Sequence, residues 1–304
     1  MDKVVIIEGI TKKFESILAI DGISFDIHRN EIFGLVGPDG AGKTTTIRIL
    51  CGLIEPDEGK ANILGFDLVK QIKKIKKEIG YLSQRFTLYS DLTVDENIEF
   101  IADIHGVKKY KPRRDQLLEI MRLTNFRHFK AGKLSGGMKQ KLSLTCTLIH
   151  TPKIIFLDEP TTGVDPVSRR DFWRILSNLF KEGITILIST PYLDEAERFS
   201  RIALLNNGNI LRCDSPSNIK ESMGKKIIEI VTPSIRETCT LFKNKTEFEV
   251  QLFGDRIDIV INNEGEDYEK VNDILIKNSI EVLDKRIKQV SLENVFINIL
   301  QHQI

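Results

Sequence analysis

The sequence predicts a mixed α/β fold with a mainly parallel sheet, followed by a small α+β domain. Three observations support this prediction. Short apolar runs alternate with helical patterns along the first two thirds of the chain, which is typical of helices packed on a parallel sheet. A glycine-rich loop joins one of these runs to a helix, and the hydrophobic patterning changes after about residue 220. The predicted domains are therefore 1–220 and 221–304.

The elements of the larger domain follow from its patterning. Strands are predicted at "KVVIIEGI", "ISFDIH" and "EIFGLVG", and a helix is predicted to start at Lys43. Between about residues 84 and 147 the pattern is helical, and Thr93 and Glu96 form a capping box before an apolar stripe. We therefore expect a helical subdomain inserted here, before the strands resume at "KIIFLDEP" and "ITILIST".

The smaller domain has weaker signals. Partial alternation predicts strands at "KIIEIV", "FEVQLF" and "RIDIVI", and helices are predicted at "DYEKVNDILIKN" and "SLENVFINIL". No set of catalytic residues stands out in this region. We expect it to pack on a second copy and stabilise a dimer, and the alternative is a regulatory ligand site.

The composition describes a globular chain without a strong charge bias. Of its 304 residues 41% are hydrophobic, and 44 basic residues stand against 43 acidic ones. The net charge of +1 gives no overall attraction to nucleic acid, so no nucleic-acid partner is expected. Four widely spaced cysteines indicate reduced, mostly packed thiols in a cytoplasmic protein. No apolar run approaches the roughly 18 residues of a membrane span, so a membrane would be reached through a partner.

The stretch "GLVGPDGAGKTTT" contains the phosphate-binding pattern G-x-x-x-x-G-K-[ST]. It follows an apolar strand and opens a helix, which is the context that this pattern requires. Glycines let backbone N–H groups converge on an anion, the helix N-terminus adds partial positive charge, and a lysine reaches the terminal phosphates. The alternative is a glycine-rich turn that binds nothing. The candidate nucleotide-binding residues are Gly37, Pro38, Asp39, Gly40, Ala41, Gly42, Lys43, Thr44 and Thr45.

Two further stretches carry groups suited to phosphate chemistry. "KIIFLDEP" ends a strand with Asp158 and Glu159, whose side chains should turn to different sides, one toward a metal and one toward a water. These carboxylates could instead cap a neighbouring helix. In "KLSGGMKQ", Ser135, Gly136 and Gly137 precede a second helix and form a second phosphate-seeking N-terminus. The alternative at Ser135 is an ordinary N-cap beside two flexible glycines.

The order of these motifs resembles the nucleotide-binding subunit of an ABC transporter. The resemblance covers about residues 3–218 and rests on GPDGAGKTT, Gln84 in "IGYLSQRF", LSGGMKQ, IIFLDEP and TTGVDP. It is closest to multidrug and daunorubicin-type exporters whose ATPase is separate from the membrane subunit. It implies a P-loop NTPase fold of ABC type that binds ATP and Mg²⁺. It also implies a transmembrane permease partner, a second nucleotide-binding subunit in a homodimer or heterodimer, and a place on the inner face of the cell membrane.

The resemblance also implies roles for single residues. Phe14 would stack on adenine, unless it is ordinary packing. Gln84 would touch Mg²⁺ or the attacking water, unless it is merely an exposed glutamine. Asp165 would cross a dimer interface, and the alternative is a turn residue before Pro166.

The same resemblance assigns the carboxylates and the second helix N-terminus. Thr44 would bind Mg²⁺, Asp158 would hold it through water, and Glu159 would polarise the nucleophilic water. The Ser135 segment would contact the nucleotide of the partner subunit. Met138 departs from the commoner LSGGQ pattern but leaves the serine and both glycines in place.

Pro191 departs from the family pattern at a chemically important position. The family ends this strand with a histidine that donates a hydrogen bond to the γ-phosphate, and proline has no donor. We expect Thr190 to be an N-cap and Pro191 to begin a helix. Loss of one preorganised donor slows comparable reactions by about 10²–10³, so near-normal ATP binding and slow hydrolysis are predicted. The alternatives to an exporter subunit are a regulatory ATP-binding module and an ABC-type ATPase of translation or DNA repair.

Overall fold

A computed structural model describes residues 2–302. The chain divides into two compact units, of which one ends at Asp214 and the other begins at Ser215. The sequence patterning places the change near residue 220. The observed division is earlier because the short helix at Pro216–Glu221 packs on the last helix of the chain, Leu292–Gln301, and so groups with the second unit.

The strands of the first unit are β1 (Lys3–Phe14), β2 (Ile17–His28), β3 (Ile32–Val36), β4 (Glu58–Ile63), β5 (Phe66–Asp67), β6 (Ile79–Leu82), β7 (Ile154–Asp158), β8 (Thr185–Thr190), β9 (Arg201–Asn206) and β10 (Asn209–Asp214). Its helices are α1 (Lys43–Leu50), α2 (Ile72–Glu78), α3 (Val94–Ile104), α4 (Lys111–Ile120), α5 (Gly136–Leu148), α6 (Pro166–Lys181) and α7 (Leu193–Ala196).

Two sheets organise these elements within residues 2–214. One has the strand order β10-β9-β3-β8-β7-β6, in which the pairs from β9 to β6 are parallel and β10 is an antiparallel edge. The other is antiparallel, in the order β2-β1-β4-β5. Strands β3, β7 and β8 are buried along their whole lengths, as continuous apolar runs in a parallel sheet should be. The predicted α/β class with a mainly parallel sheet is confirmed.

The helices begin where the sequence places its start signals. Helix α1 starts at Lys43, and Thr93 caps α3 with the predicted capping box to Glu96. Helices α3, α4 and α5 lie in the chain between β6 and β7, in the predicted helical block. Asp165 caps α6 by accepting hydrogen bonds from two backbone N–H groups, and Pro166 occupies the first helical position.

The predicted helix start at Pro191 is wrong. Helix α7 begins at Leu193, and its N-cap residue is Tyr192. Thr190 is instead the last residue of β8, where its hydroxyl accepts from Tyr192 N (3.1 Å) and donates to Glu195 Oε2 (2.8 Å). This local turn uses the hydroxyl that an N-cap would need, so the helix starts later.

The second unit is an α+β fold. Its elements are α8 (Pro216–Glu221), β11 (Lys226–Val231), α9 (Ile235–Lys245), β12 (Glu249–Leu252), β13 (Ile257–Ile261), α10 (Glu264–Lys277), β14 (Asp284–Gln289) and α11 (Leu292–Gln301). The strands form an antiparallel sheet in the order β12-β13-β11-β14. One face of the sheet packs Ile228 and Ile259 against Phe242 of α9 and Val271 of α10, all fully buried.

Two expectations about the whole chain can be compared with the structure. The four cysteines are free thiols, of which Cys51, Cys146 and Cys239 are buried and Cys213 is half-buried, as predicted. None of the helices described within residues 2–302 combines the length and the apolar composition that crossing a bilayer requires.

Candidate functional site

The phosphate-binding loop joins the end of β3 to the start of α1. Its two framing glycines are required by geometry: a Cβ at Gly37 would lie 2.1 Å from Leu205 O, and Gly42 has a φ of +101°. Gly37 N donates to Thr190 O (3.3 Å), which ties the loop to the neighbouring strand β8. The first backbone N–H groups of α1 lack intrahelical partners, so they and the helix dipole can bind an anion.

Lys43 is held inside this loop. The side chain is only 3% exposed, and its Nζ donates to the carbonyl oxygens of Gly37 (2.8 Å) and Pro38 (3.0 Å). The same Nζ lies 3.1 Å from Glu159 Oε1. The ammonium has three donors, of which two bond loop carbonyls and the third faces Glu159, and a phosphate oxygen can replace the carboxylate as the third partner.

Asp158 lies at the end of β7, opposite Ser189 in the adjacent strand β8. Its Oδ1 accepts from Ser189 Oγ (2.7 Å) and from Thr44 Oγ1 (3.0 Å). Its Oδ2 is buried and has no hydrogen-bond partner within residues 2–302. Burial raises the pKa of the Asp158 carboxyl, and the hydrogen bonds from Ser189 and Thr44 oppose that rise.

The donor set around Asp158 fits a magnesium ion. Mg²⁺ prefers hard oxygen ligands and uses one or two carboxylates together with phosphates and waters. The unpartnered Oδ2 of Asp158 and the Thr44 hydroxyl supply such oxygens beside the phosphate-binding loop. Gln84 adds an amide at the same cavity. The predicted assignment of Thr44, Asp158 and Gln84 to the metal is compatible with this arrangement and stays a prediction.

Glu159 has partners different from those of Asp158, as the predicted alternation requires. Gln84 Nε2 donates to Glu159 Oε2 (2.9 Å), and Lys43 Nζ lies 3.1 Å from Glu159 Oε1. The backbone of Glu159 has a φ of +46°, a left-handed conformation that is uncommon outside glycine and clusters at functional sites. Its N–H donates to Ser189 Oγ (2.9 Å), so the serine contacts both residues, the carboxylate of Asp158 and the backbone of Glu159.

A cavity of about 580 Å³ surrounds these groups. Besides predicted loop residues, Gln84 and Glu159, its lining includes Ile17, Leu18, Ala19 and Asn207, which the sequence reasoning missed. The β1–β2 hairpin brings the first three to the loop, and no motif spacing marks them. Phe14 lies at the same hairpin, 44% exposed, but it is not among the lining residues that the structure describes.

The Ser135 segment lies at the start of α5. Ser135 and Gly136 are exposed, and Ser135 Oγ accepts from Met138 N (3.3 Å). Ser135 is thus the N-cap of α5, and Asp165, for which the alternative was a turn residue before Pro166, is the N-cap of α6. Contact of Ser135, Gly136 and Gly137 with a partner's nucleotide stays a prediction. Within the described chain these residues do not line the cavity around Lys43.

The fold and the site together are those of a P-loop protein of the nucleotide-binding type: a parallel sheet, a glycine loop that leads from β3 into a helix, and carboxylates at the end of β7, two strands away. The family described as "ABC transporter" matches residues 20–162. This chain belongs to the ATP-binding proteins of the ABC transporter family.

The similar proteins include export and resistance proteins. "Probable multidrug ABC transporter ATP-binding protein YbhF" of Escherichia coli is 44% identical over 236 residues, which are 76% of this chain and 41% of that protein. This chain thus spans less than half of the length of YbhF. "Daunorubicin resistance ATP-binding protein DrrA2" of Streptomyces coeruleorubidus is 32% identical over 304 residues, 97% of this chain and 94% of that protein.

Solved structures of ABC cassettes share the fold. "Structure of ATP binding subunit of ABC transporter" matches with a TM-score of 0.67 at 28% identity and covers 73% of this chain and 93% of that one. "Dimeric Structure of MJ0796, a Bacterial ABC Transporter Cassette" matches with a TM-score of 0.64 at 27% identity, over 69% of this chain and 98% of that one.

Proposed function

We propose that this chain is the ATP-binding subunit of a membrane exporter of the multidrug type. It pairs with a second nucleotide-binding subunit and with a transmembrane permease, on the cytoplasmic face of the cell membrane. The names of the similar proteins YbhF and DrrA2, one for multidrug transport and one for daunorubicin resistance, support this class of cargo.

One observation carries the enzymatic part of the proposal: five side chains converge on the phosphate-binding loop. Lys43 pairs with Glu159, Thr44 with Asp158, and Gln84 with Glu159. In the proposed reaction a water oxygen attacks the γ-phosphorus, the bond from that phosphorus to the bridging oxygen breaks, and ADP, phosphate and a proton are released. Glu159 accepts a hydrogen bond from the attacking water, and Lys43 stabilises charge on the phosphates. A bound magnesium ion would neutralise negative charge on the β- and γ-phosphate oxygens.

The position of the Ser135 segment supports a head-to-tail dimer. Ser135 and Gly136 present an exposed helix N-terminus, while the cavity around Lys43 is lined by other segments of the chain. A helix N-terminus attracts anions, so a partner's nucleotide is a suitable ligand for it. Two chains arranged in this way would each complete the other's site.

The helical block supports docking to a membrane protein. A groove of about 320 Å³ is lined by side chains of α3, α5 and the β6 segment, including Leu82, Leu88 and Ile101. Large apolar side chains lie exposed in the same region at Tyr89 and Ile104. Contiguous exposed apolar surface marks interaction sites on proteins. In the proposal this surface receives the permease and transmits motion to it.

Pro191 supports a weakened site. It follows β8 directly beside Thr190, whose carbonyl contacts the phosphate-binding loop, and it carries no hydrogen-bond donor there. In the proposal this chain pairs with a histidine-bearing subunit, so that the dimer has one weak and one active site. The rival arrangement is a homodimer with two slow sites.

The test of the weakened site is single-turnover hydrolysis by the purified chain and by its Pro191→His variant. We expect the variant to hydrolyse faster by up to about 10²–10³, with little change in Mg-ATP affinity, because the added donor acts on transition-state charge. Equal rates for wild type and variant would contradict the weakened-site proposal.

Two control variants sharpen this test. Tyr192→His places a histidine one residue later, where the native ring lies 5.0 Å from the Arg169 guanidinium carbon, so it should not accelerate hydrolysis. Glu159→Gln in the Pro191→His background should abolish the gain. A chain that binds Mg-ATP but stays inactive even with Pro191→His would instead be a regulatory ATP-binding module, the second candidate that Pro191 favours. Association with ribosomes or DNA rather than a membrane protein would favour an ABC-type ATPase of translation or DNA repair.

A further inference from the structure

The carboxylate of Glu195 is buried and fully hydrogen-bonded, although it lies outside the phosphate-binding loop. It is 2% exposed. Thr161 Oγ1 donates a bifurcated hydrogen bond to both of its oxygens (2.8 and 3.0 Å), and Thr190 Oγ1 donates to Oε2 (2.8 Å). A carboxylate is costly to bury, so a buried one with good partners fixes the segments that carry those partners.

The two threonines belong to segments that contact the candidate base Glu159 and the phosphate-binding loop. Thr161 follows Glu159 by two residues, and the next residue, Thr162, lies within 3.3 Å of Glu159 Oε2 through its hydroxyl. Thr190 ends β8, and its carbonyl oxygen accepts from Gly37 N in the phosphate-binding loop (3.3 Å). Glu195 therefore connects the segment that follows Glu159 to β8, the strand whose last residue contacts the phosphate-binding loop.

A cation completes the arrangement. Arg169 Nε of helix α6 lies 3.8 Å from Glu195 Oε1, and the guanidinium stacks over the ring of Tyr192 at 5.0 Å. Arg169 thus partly balances the buried charge and contacts the residue that follows Pro191. Helices α6 and α7 and the end of β8 are held together around one carboxylate.

We propose that Glu195 is a positioning residue for ATP hydrolysis, acting through Thr161 and Thr190 on the orientation of Glu159. The proposal rests on the hydrolytic function proposed above. Glu159 has a left-handed backbone conformation, which the surrounding contacts must hold in place. A displacement of a catalytic group by about 1 Å can cost on the order of 10² in rate, so a loosened 159–165 segment should slow the reaction. The hydrogen bond from Thr190 to Glu195 fixes this end of β8.

The experiment compares Thr161→Val with Thr161→Ser in the full-length chain. Valine keeps the shape of threonine and removes the donor, while serine keeps the donor. We expect Thr161→Val to lower the single-turnover rate by about tenfold or more with Mg-ATP affinity unchanged, because the loss acts on positioning. The single-turnover rate of Thr161→Ser should stay within about twofold of wild type. The same is expected for Asp194→Asn, which alters an exposed acidic residue in α7, the helix that carries Glu195.

Hydrogen exchange of the 159–165 peptide provides a readout independent of hydrolysis. We expect faster exchange in Thr161→Val and in Glu195→Gln than in Thr161→Ser, at temperatures where all variants remain folded by circular dichroism. Equal single-turnover rates in Thr161→Val and wild type would overturn the positioning role. Equal slowing of turnover by Thr161→Val and Thr161→Ser would also overturn it. If the wild type binds Mg-ATP without turnover, the proposed hydrolytic function fails. In that case hydrogen exchange still tests the positioning role separately, and unchanged exchange in Thr161→Val would overturn it.

Discussion

Asp158 is buried in a way that favours its neutral form. Its pKa is raised, first by burial and further by the charge of Glu159. Because the folded-state pKa lies above the unfolded value of 3.8, the folded state binds this proton more tightly than the unfolded chain does. The contribution of Asp158 to stability is therefore lost as pH rises through the window above 3.8. The ionised form of the carboxylate therefore destabilises the free protein and is suited to a cation.

The first prediction at this scale concerns Asp158→Asn. Removing the buried charge should raise the thermal unfolding temperature at pH 7 in the absence of nucleotide. The same change should weaken Mg-dependent ATP binding by about 10–100-fold, the range for groups that hold a metal through water. Thermal denaturation with and without Mg-ATP measures both effects. A variant that melts lower without nucleotide would contradict the reading of Asp158, and Asp194→Asn, at an exposed position, should leave both quantities unchanged.

The residues that were predictable and those that were not differ in kind. Lys43, Thr44 and the Asp158–Glu159 pair lie in motifs whose spacing reflects phosphate chemistry, so the sequence identifies them. Ser189 and Glu195 follow no such spacing, since Ser189 meets Asp158 and Glu195 meets Thr161 from more than 30 residues away in the chain. A buried strand such as β8 that ends in two hydroxyl residues was the available signal, because buried polar groups need partners.

At the scale of elements, apolar runs and capping residues predicted most of the first unit. The sequence did not indicate that β1 and β2 form a separate antiparallel sheet with β4, because pairing partners leave no mark in local patterning. In the second unit, β14 has the sequence DKRIKQ and lies at a sheet edge. Charged edge strands lack the apolar alternation on which strand prediction depends, so β14 was missed.

Two histidines join the ends of α3 and α5. The rings of His105 and His150 stack with centroids 3.8 Å apart and planes within 5°. His150 Nε2 lies 2.8 Å from Ile79 O, so Nε2 is the donor, and the buried Nδ1 has no hydrogen-bond partner in the described chain. Burial lowers the pKa of both rings, and for His150 the Ile79 carbonyl and the more distant Glu78 oppose the shift. Both imidazoles are therefore neutral at pH 7.

The prediction at this scale is a loss of stability on acidification. Because the folded-state pKa values lie below the ordinary 6.5, the folded state binds fewer protons than the unfolded chain does. The contribution is complete above pH 6.5 and is lost as pH falls toward the folded values. Urea unfolding at pH 7.5 and 5.5 measures it.

The variants for this comparison follow from the stack. His105→Phe keeps a ring against His150 and removes one titrating group, so its stability should fall less between pH 7.5 and 5.5 than that of wild type. His128→Asn, which alters an exposed histidine of the same helical block, is the control and should keep the wild-type loss. Identical losses in His105→Phe and wild type would show that the stack does not carry the effect.

For the whole molecule, the arrangement of sites argues that one chain is incomplete. Residues of the phosphate-binding loop and Glu159 line one cavity, whereas Ser135 and Gly136 lie exposed at the start of α5. The proposed head-to-tail dimer would bring the Ser135 segment of one chain onto the nucleotide of the other, which would account for both locations. The dimeric cassette structure among the similar proteins is compatible with this assembly.

The last prediction tests that assembly by cross-linking Ser135→Cys to Asp39→Cys, an exposed residue of the phosphate-binding loop. Of the native cysteines Cys213 is replaced by serine, because the others are buried. In a Glu159→Gln background, in which hydrolysis should be blocked, a short bis-maleimide should give a dimer-sized band that depends on Mg-ATP. Thr124→Cys, an exposed position in the same helical block, replaces Ser135→Cys in the control and should give no such band. A band that forms without nucleotide would contradict a head-to-tail dimer closed by ATP. A band that forms only when a second, histidine-bearing subunit is added would establish the heterodimer over the homodimer.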